Sequence, residues 1–466
     1  MRKQLAEMSI SELAPMLRDR EVSPVEVSNS VFTRVKAFEK EINAYVEINE
    51  EKALEAAKKA EQEIFRGEYK GPLHGIPMAL KDILHIKGET VSFGSKIHKY
   101  FIADQDATVV SKLKSAGVVL NGKLNMHEYA WGGTTNNPHF GPTRNPWNLE
   151  KIPGGSSGGS GAAVAADLTI ASLGTDTGGS IRMPAAACGI VGLKPTHGRV
   201  SKSGCFPLSW SLDHIGPMTK TVEDAAILLE YMAGYDVNDP TCESIPVDSY
   251  TSYLTGDIKG KVIGIEQDYF FNNVDERIEL LVRKAIDQME AMGAKVEIVK
   301  IPSLKYAPYA EMMTCYGEGG TIHSKNIRER PEDYGEDVRI EMKLAQAISS
   351  TDYLQAQQVR NWMKSEFSKV FEKVDVLMAP MLPILPPNIG DQPAVNLGLF
   401  SCPANLTGLP AISIPCGFSE GLPVGLQIIG PAFEEGRVLN FAYAFEKTNP
   451  LKGKKPPFQM KVQKTI

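Results

Sequence analysis

Apolar residues recur along this chain with two patterns, one typical of helices and one typical of buried strands. Helical spacing predicts a helix over residues 25–40, and Ser23-Pro24 provides the cap and first-turn proline that helices favour. Ser9 and Ser11 predict the cap of an earlier helix that runs toward Arg20. Further helices are predicted over residues 51–65, 108–116, 162–166, 222–232, 275–292, 353–373 and 434–447.

Short continuous apolar runs predict strands that are buried on both sides. The run 118–120 predicts a strand that ends at a loop formed by Asn121-Gly122, and the run 168–173 predicts a strand that leads toward Ser180. Later strands are predicted over residues 261–265, 296–299, 374–378, 411–414 and 426–429. Strands that alternate with helices in this way predict an α/β fold whose sheet is covered by helices on both faces.

Composition narrows the class of protein. The 466 residues are 42% hydrophobic and 23% charged, as in ordinary globular proteins, and no linker divides them, so we predict one domain over 1–466. The net charge of −6 without a basic block argues against direct nucleic-acid binding. Because no segment has the apolar length of a signal peptide or a membrane span, the sequence predicts a cytoplasmic protein without membrane contact. It leaves the formation of a homodimer open.

Cysteine and histidine positions give no sign of a metal or disulfide framework. The six cysteines form no CxxC pair, and the eight histidines form no metal-binding motif. We therefore predict buried free thiols and no metal. Cys188 lies in an apolar segment, which would raise its pKa rather than activate it as a nucleophile.

Two turns rich in glycine and serine carry the candidate chemistry. The first, over 154–160, contains Ser156, and the second, over 174–182, contains Ser180. Glycine allows a reacting carbonyl to approach closely and leaves backbone N–H groups free to donate. Serine needs a base, and a lysine can serve if burial keeps it neutral. Lys81 follows an apolar segment that favours burial, and alternation along an extended chain turns Asp82 to the opposite side.

The spacing of these residues resembles the amidase signature family, whose members carry a Ser–cis-Ser–Lys triad. Ser156 follows Lys81 by 75 residues and precedes Ser180 by 24 residues, which fits that family. Pro153 and the segment 192–196 add to the likeness, which is strongest over about 72–218. The resemblance implies a single large α/β domain with a mixed sheet. It also implies an amidase that hydrolyses the C–N bond of a small-molecule amide without a cofactor.

The resemblance also implies a role for each site residue. Ser180 attacks the amide carbonyl and forms an acyl-enzyme, while Ser156, after a cis peptide bond, passes protons between Ser180 and Lys81. Trp131 and Gly132 contact the substrate in the acyl pocket. The implied oxyanion hole consists of the backbone N–H groups of Thr177, Gly178, Gly179 and Ser180.

Neighbouring side chains receive structural roles. We expect Ser157 and Ser160 to cap the helix that follows the first turn. We expect Asp176 and Arg182 to brace the second turn through a salt bridge or backbone hydrogen bonds.

Two other classes of protein stay open. The segment 154–158 matches the G-x-S-x-G elbow of α/β-hydrolases, and His197, His214 and His323 lie downstream as candidate bases. That alternative, an esterase, leaves Lys81 and Ser180 without a role. A nucleotide-binding protein is the second alternative, because glycine-rich turns can hold a phosphate, but neither turn contains the P-loop lysine.

Within the family, the sequence favours a stand-alone amidase over the glutamine-hydrolysing A subunit of a tRNA-dependent amidotransferase. Members of that second group usually have a Met at the position of Trp131 and an Asp at the position of Glu434. Arg360 matches a position that they use. The departures at Trp131 and Glu434 favour the stand-alone enzyme, and the amidotransferase role is the alternative.

Overall fold

One mixed sheet of eleven strands organises the chain. The structure is a computed structural model that describes residues 4–272, 274–392, 395–448 and 454–457. Its strands are β1 Tyr45–Ile48, β2 Pro77–Lys81, β3 Val119–Leu124, β4 Asn136–Asn137, β5 Gly141–Pro142, β6 Ala171–Asp176, β7 Val191–Lys194, β8 His214–Thr219, β9 Val262–Glu266, β10 Lys295–Val299, β11 Val376–Pro380, β12 Ala411–Ser419 and β13 Leu422–Ile429. The order across the sheet is β1-β3-β2-β6-β8-β7-β12-β13-β11-β9-β10, and β4 pairs with β5 separately.

The sheet mixes parallel and antiparallel pairs, which confirms the predicted fold class. Strand β2 runs parallel to β3 and β6, and β9 runs parallel to β10 and β11. The remaining neighbours are antiparallel. Because β2 and β6 run parallel, their last residues, Lys81 and Asp176, lie at the same edge of the sheet.

Helices flank this sheet. In the described residues they are α1 Ile10–Arg18, α2 Pro24–Ile42, α3 Glu50–Phe65, α4 Thr108–Ser115, α5 Gly158–Ala165, α6 Arg182–Cys188, α7 Val222–Met232, α8 Gln267–Phe270, α9 Glu276–Ala291, α10 Ala307–Glu329, α11 Glu336–Ala345, α12 Ser350–Phe371, α13 Cys402–Thr407 and α14 Glu435–Thr448. The predicted caps at Ser9 and Ser23 are confirmed, and each forms a reciprocal capping box. Among these helices, none combines the length and the apolar character that crossing a bilayer requires.

Several strand predictions were wrong in their bounds: β12 continues to Ser419, β13 begins at Leu422, and β3 and β6 also differ from their predicted ranges. Strand β3 continues through Asn121 and Gly122, where a loop was predicted. The Asn121 side chain is buried and its amide nitrogen donates to the hydroxyl of Tyr45 at 3.3 Å, so this donor does not require a surface turn. Gly122 fits because the backbone of β1 occupies the space of a Cβ. Strand β6 covers Ala171–Asp176 instead of residues 168–173, so Asp176 is its last residue and the rest of the second turn follows directly.

Several elements were not predicted because their sequences contain residues that helices and strands disfavour. Helix α10 includes Gly317, Gly319 and Gly320, which lower helix propensity. The structure explains Gly319, because the ring of Trp131 packs where its Cβ would be. Strand β8 contains Gly216 and Pro217, a pair that argues against a strand in a sequence alone.

Candidate active site

The parallel pairing of β2 and β6 brings Lys81 to the two turns. Leu80 lies opposite Leu173, so the end of β2 lies beside the end of β6. The Lys81 amine donates to Thr175 Oγ1 in β6 at 2.7 Å and to Ser156 Oγ at 2.7 Å. The peptide bond between Gly155 and Ser156 is cis.

Lys81 has the environment of a neutral amine. Its side chain is completely buried, and burial lowers its pKa to about 7, against the opposing influence of Cys205, Asp213 and Asp176. Asp82 points away, as expected from strand alternation. Its carboxylate accepts from the Ser92 backbone N–H at 3.1 Å and lies 3.6 Å from the amine of Lys123.

A buried ion pair braces the second turn, which confirms the prediction for Asp176 and Arg182. The Asp176 carboxylate accepts from the N–H groups of Gly179 at 2.8 Å and Ile181 at 3.1 Å, and from Arg182 at 3.0 Å. Burial alone would raise the pKa of Asp176, but the charge and hydrogen bonds of Arg182 lower it to about 2. The pair therefore holds the turn in one conformation.

We expect Asp176→Asn to destabilise the fold by about 3–5 kcal/mol, because it leaves the buried guanidinium of Arg182 without its counter-charge. Urea unfolding measures this effect. The matched control is Asp268→Asn, which removes an exposed carboxylate 3.8 Å from Lys300 and should change stability by less than about 1 kcal/mol. Equal effects of the two substitutions would contradict the bracing role.

The backbone after β6 offers donors for an oxyanion. In the described part of the chain, the N–H groups of Thr177, Gly178 and Ser180 have no protein acceptor. Gly179 differs from the prediction, because its N–H already donates to Asp176. Thr177 Oγ1 donates to Asp213 at 2.6 Å, which fixes the start of this loop.

The expectation that Ser157 and Ser160 cap α5 was wrong. Ser157 forms no side-chain cap and instead exchanges hydrogen bonds with the backbone of Thr175 at 3.1 and 3.2 Å. Ser160 Oγ donates to the carbonyl of Leu173 at 3.0 Å. Both serines therefore connect α5 to β6, because α5 packs closely against that strand.

A cavity of about 840 Å³ opens onto the second turn. Ser180, Thr177 and Gly178 line it, as do Trp131 and Gly132. The structure therefore places the predicted nucleophile and the predicted substrate contacts around one space. Lys81 and Ser156 lie behind this wall and do not line the cavity.

Trp131 forms part of the cavity wall and also packs in the core. Its ring stacks on Tyr316 with centroids 5.8 Å apart, and only 9% of the residue is exposed.

Trp131→Ala should change the relative kcat/KM of amides with short, medium and long acyl groups by about tenfold, because it enlarges the cavity. The control is Phe367→Ala, which removes a buried ring of α12 outside the cavity and should lower the melting temperature without changing that ratio. A uniform loss of activity in Trp131→Ala would remove it from the substrate contacts.

Of the three residues compared with the amidotransferase group, Trp131 lines the cavity, whereas Arg360 and Glu434 lie outside its lining. Arg360 donates to the carbonyls of Leu406 at 3.2 Å and Ser211 at 3.1 Å, so it connects α12 to α13 and a neighbouring loop. Glu434 is about half exposed, and its carboxylate lies 3.5 Å from Arg437.

The structure gives little support to the other nucleophiles and bases. Burial raises the pKa of the Cys188 thiol well above its ordinary value. His214 is buried beside Lys194, at 3.1 Å, and Leu212, at 2.6 Å. In the described residues the Ser156 hydroxyl bonds only to Lys81. That same part of the chain holds no cluster of three or more His, Cys, Asp or Glu suited to a metal.

Sequence reasoning missed three residues of this site, namely Thr175, Glu311 and Tyr316. Thr175 immediately precedes Asp176 in the second turn, so its position could have signalled a role. The other two line the cavity from a distant segment, the unpredicted α10. Only the fold brings them to Ser180.

Comparisons with known proteins show the family of this chain. The Amidase family model matches residues 26–439. The A subunit of glutamyl-tRNA(Gln) amidotransferase from Carboxydothermus hydrogenoformans is 40% identical, with 96% of this chain and 99% of that protein aligned. The crystal structure of the corresponding protein from Thermotoga maritima covers 98% of each chain at 35% identity and a TM-score of 0.84. A bacterial aryl acylamidase of the amidase signature enzymes covers 97% of this chain and 100% of its own, at 28% identity and a TM-score of 0.90. The chain therefore belongs to the amidase signature family.

Proposed function

We propose that this chain hydrolyses a carboxylic amide through an acyl-enzyme on Ser180. The observation that carries the proposal is the hydrogen bond from the buried amine of Lys81, the last residue of β2, to Ser156 Oγ in the first turn. A lysine with a pKa near 7 can accept a proton at neutral pH, which a lysine in water cannot do. Ser180 lies on the wall of the cavity, where a substrate has access to it.

In the proposed reaction, Ser180 Oγ bonds to the carbonyl carbon while its proton passes to Ser156, whose own proton passes to Lys81. The carbonyl oxygen becomes an oxyanion, and the free N–H groups of Thr177, Gly178 and Ser180 stabilise it. Collapse of this tetrahedral intermediate breaks the C–N bond. The proton held by Lys81 returns through Ser156 to the leaving nitrogen, and the amine departs. Water then attacks the ester by the same proton route and releases the carboxylate.

A more specific candidate is the release of ammonia from glutamine within a tRNA-dependent amidotransferase. The similarity to the A subunit of such enzymes over nearly the whole chain favours this role over the stand-alone amidase that the sequence suggested. The protein would then work with partner proteins on a tRNA-linked reaction instead of acting alone. The departures at Trp131 and Glu434 support the stand-alone enzyme.

The test measures ammonia release from glutamine beside amine release from aliphatic, aryl and carbamate substrates. Glutamine as the best substrate would support the amidotransferase role, and rapid turnover of simple amides with little glutaminase activity would support a stand-alone amidase. A fluorophosphonate should label Ser180, which mass spectrometry of the digested protein identifies. Lack of turnover across the whole panel, together with lack of labelling, would contradict the proposed function.

A further inference from the structure

The cavity that contains Ser180 has an unbalanced charge. Four carboxylates line it, those of Glu311, Asp337, Glu341 and Asp391. Among the described lining residues there is no lysine or arginine to balance them. A wall of this composition attracts positive groups and repels negative ones.

Three of these carboxylates are already engaged by the protein. Asp337 accepts from His127 at 2.9 Å, Asp391 accepts from Asn388 at 2.9 Å, and Glu341 accepts from the hydroxyl of Tyr316. Glu311 differs, because no side chain or backbone group in the described part of the chain donates to it. Glu311 is therefore the carboxylate that is free to bind a substrate.

Glu311 also lies beside the proposed oxyanion donors. One of its carboxylate oxygens occupies the space that a Cβ on Gly178 would need, which places it against the loop of oxyanion donors. Burial raises the pKa of Glu311 to about 8, and Asp176 adds to this effect while Arg182 opposes it. A negative charge here would oppose the developing oxyanion unless a positive charge lay beside it. With a pKa of about 8, Glu311 is mostly protonated at pH 7 when the cavity is empty, and a cation brought by the substrate would favour its ionised form and offset the repulsion of the oxyanion.

The cavity also contains aromatic surfaces suited to a cation. Trp131 and Tyr316 present a stacked pair, and Tyr309 lines the cavity from the same helix as Glu311. Aromatic faces attract ammonium and guanidinium groups through the ring quadrupole. Carboxylate and aromatic walls together are complementary to an organic cation.

We propose that the amide substrate carries a positively charged amine near its scissile carbonyl, and that Glu311 binds this amine. The inference rests on the proposed acyl-enzyme chemistry and adds the substrate class to it. Glu311 acts as a specificity-determining residue, since its carboxylate discriminates between cationic and neutral amides of the same size. The aromatic pair excludes water from the cation and contacts its methylene groups.

The first experiment compares ω-amino acid amides of increasing chain length with neutral alkanoic amides of matched length and with monoamides of dicarboxylic acids. Glutamine joins the panel because it carries both charges. We expect the best cationic amide to exceed its neutral counterpart in kcat/KM by about tenfold or more, and the anionic amides to be the poorest. Preference for neutral or anionic amides, or for glutamine over every purely cationic amide, would overturn the proposal.

The second experiment uses Glu311→Gln, which removes the charge and keeps the shape. This variant should lose about tenfold in kcat/KM for the cationic amide and stay within about twofold for the neutral one. Asp268→Asn is the control, because its exposed carboxylate is remote from the cavity lining, and it should leave both values unchanged. Equal losses for both substrates in Glu311→Gln would assign it a structural role and overturn the proposal.

Protection of Ser180 from a fluorophosphonate provides a readout that does not require turnover. A cationic amide should slow the labelling of Ser180 more than its neutral counterpart does, and the difference should disappear in Glu311→Gln. Labelling without charge-dependent protection would overturn this inference and leave the proposed function standing. Failure of Ser180 to label would contradict the proposed function itself.

Discussion

Ser180→Ala should abolish amide hydrolysis, with a fall in kcat on the order of 10⁴-fold or more, because it removes the atom that forms the acyl-enzyme. The substitution deletes one buried oxygen that forms no side-chain hydrogen bond in the described residues. The melting temperature should therefore stay close to that of the unaltered protein. Steady-state kinetics and a thermal melt measure the two quantities on the same preparation.

Ser160→Ala is the matched control for the nucleophile. Ser160 belongs to the first turn and donates to the carbonyl of Leu173, but it does not line the cavity. We expect it to cost about 1 kcal/mol of stability and to retain activity, the opposite of Ser180→Ala. Substantial residual activity in Ser180→Ala, or fluorophosphonate labelling at Ser156, would instead favour the α/β-hydrolase alternative.

The local parts of the site were accessible from sequence because glycine, serine and a distant lysine leave a recognisable pattern. The turns around Ser156 and Ser180 and the apolar segment that leads to Lys81 were all located from the sequence alone. The prediction that Asp176 and Arg182 brace the second turn was also correct, since a buried acid and base six residues apart in a tight turn have few other partners. Each of these features is contained in one short segment: each turn, the segment before Lys81, and the pair Asp176 and Arg182.

The parts that sequence could not provide depend on contacts between distant segments. Helix α10 places Glu311 and Tyr316 at the cavity. Its three glycines lower its helix propensity, so the sequence did not predict it. Gly319 is tolerated there because Trp131, nearly two hundred residues earlier in the chain, fills the space above it. The roles of Ser157 and Ser160 were missed for the same reason, since their partners belong to β6 and not to their own helix.

The choice between a stand-alone amidase and an amidotransferase component shows that sequence comparison alone does not identify the substrate. The departures at Trp131 and Glu434 pointed one way, whereas similarity over the whole chain points the other way. In the structure, Arg360 donates hydrogen bonds to backbone carbonyls, and acidic side chains line the cavity wall. Overall similarity reports ancestry, while the cavity wall decides which amide binds, so substrate measurements are the decisive evidence.

Activity should fall as the pH drops below about 7, because Lys81 must be neutral to accept a proton. Burial lowers the pKa of Lys81 to about 7, so the protonated and inactive form predominates below that value. The logarithm of kcat/KM should then decrease with a slope of about one per pH unit. With a neutral amide as substrate, the ionisation of Glu311 above about pH 8 affects only the alkaline side of the profile, so the acidic limb reports Lys81.

Two variants test whether Lys81 or the nearby Asp213 is the group whose titration gives the acidic limb. Lys81→Ala should reduce kcat/KM by about 10²–10⁴-fold and remove the acidic limb of the pH profile from whatever activity remains. Asp213 also titrates in this range, because burial raises its pKa to about 6, and its negative charge raises the pKa of Lys81. Asp213→Asn should therefore keep the limb and move its midpoint to lower pH. A limb that persists unchanged in Lys81→Ala, or that disappears in Asp213→Asn, would show that another group is the base.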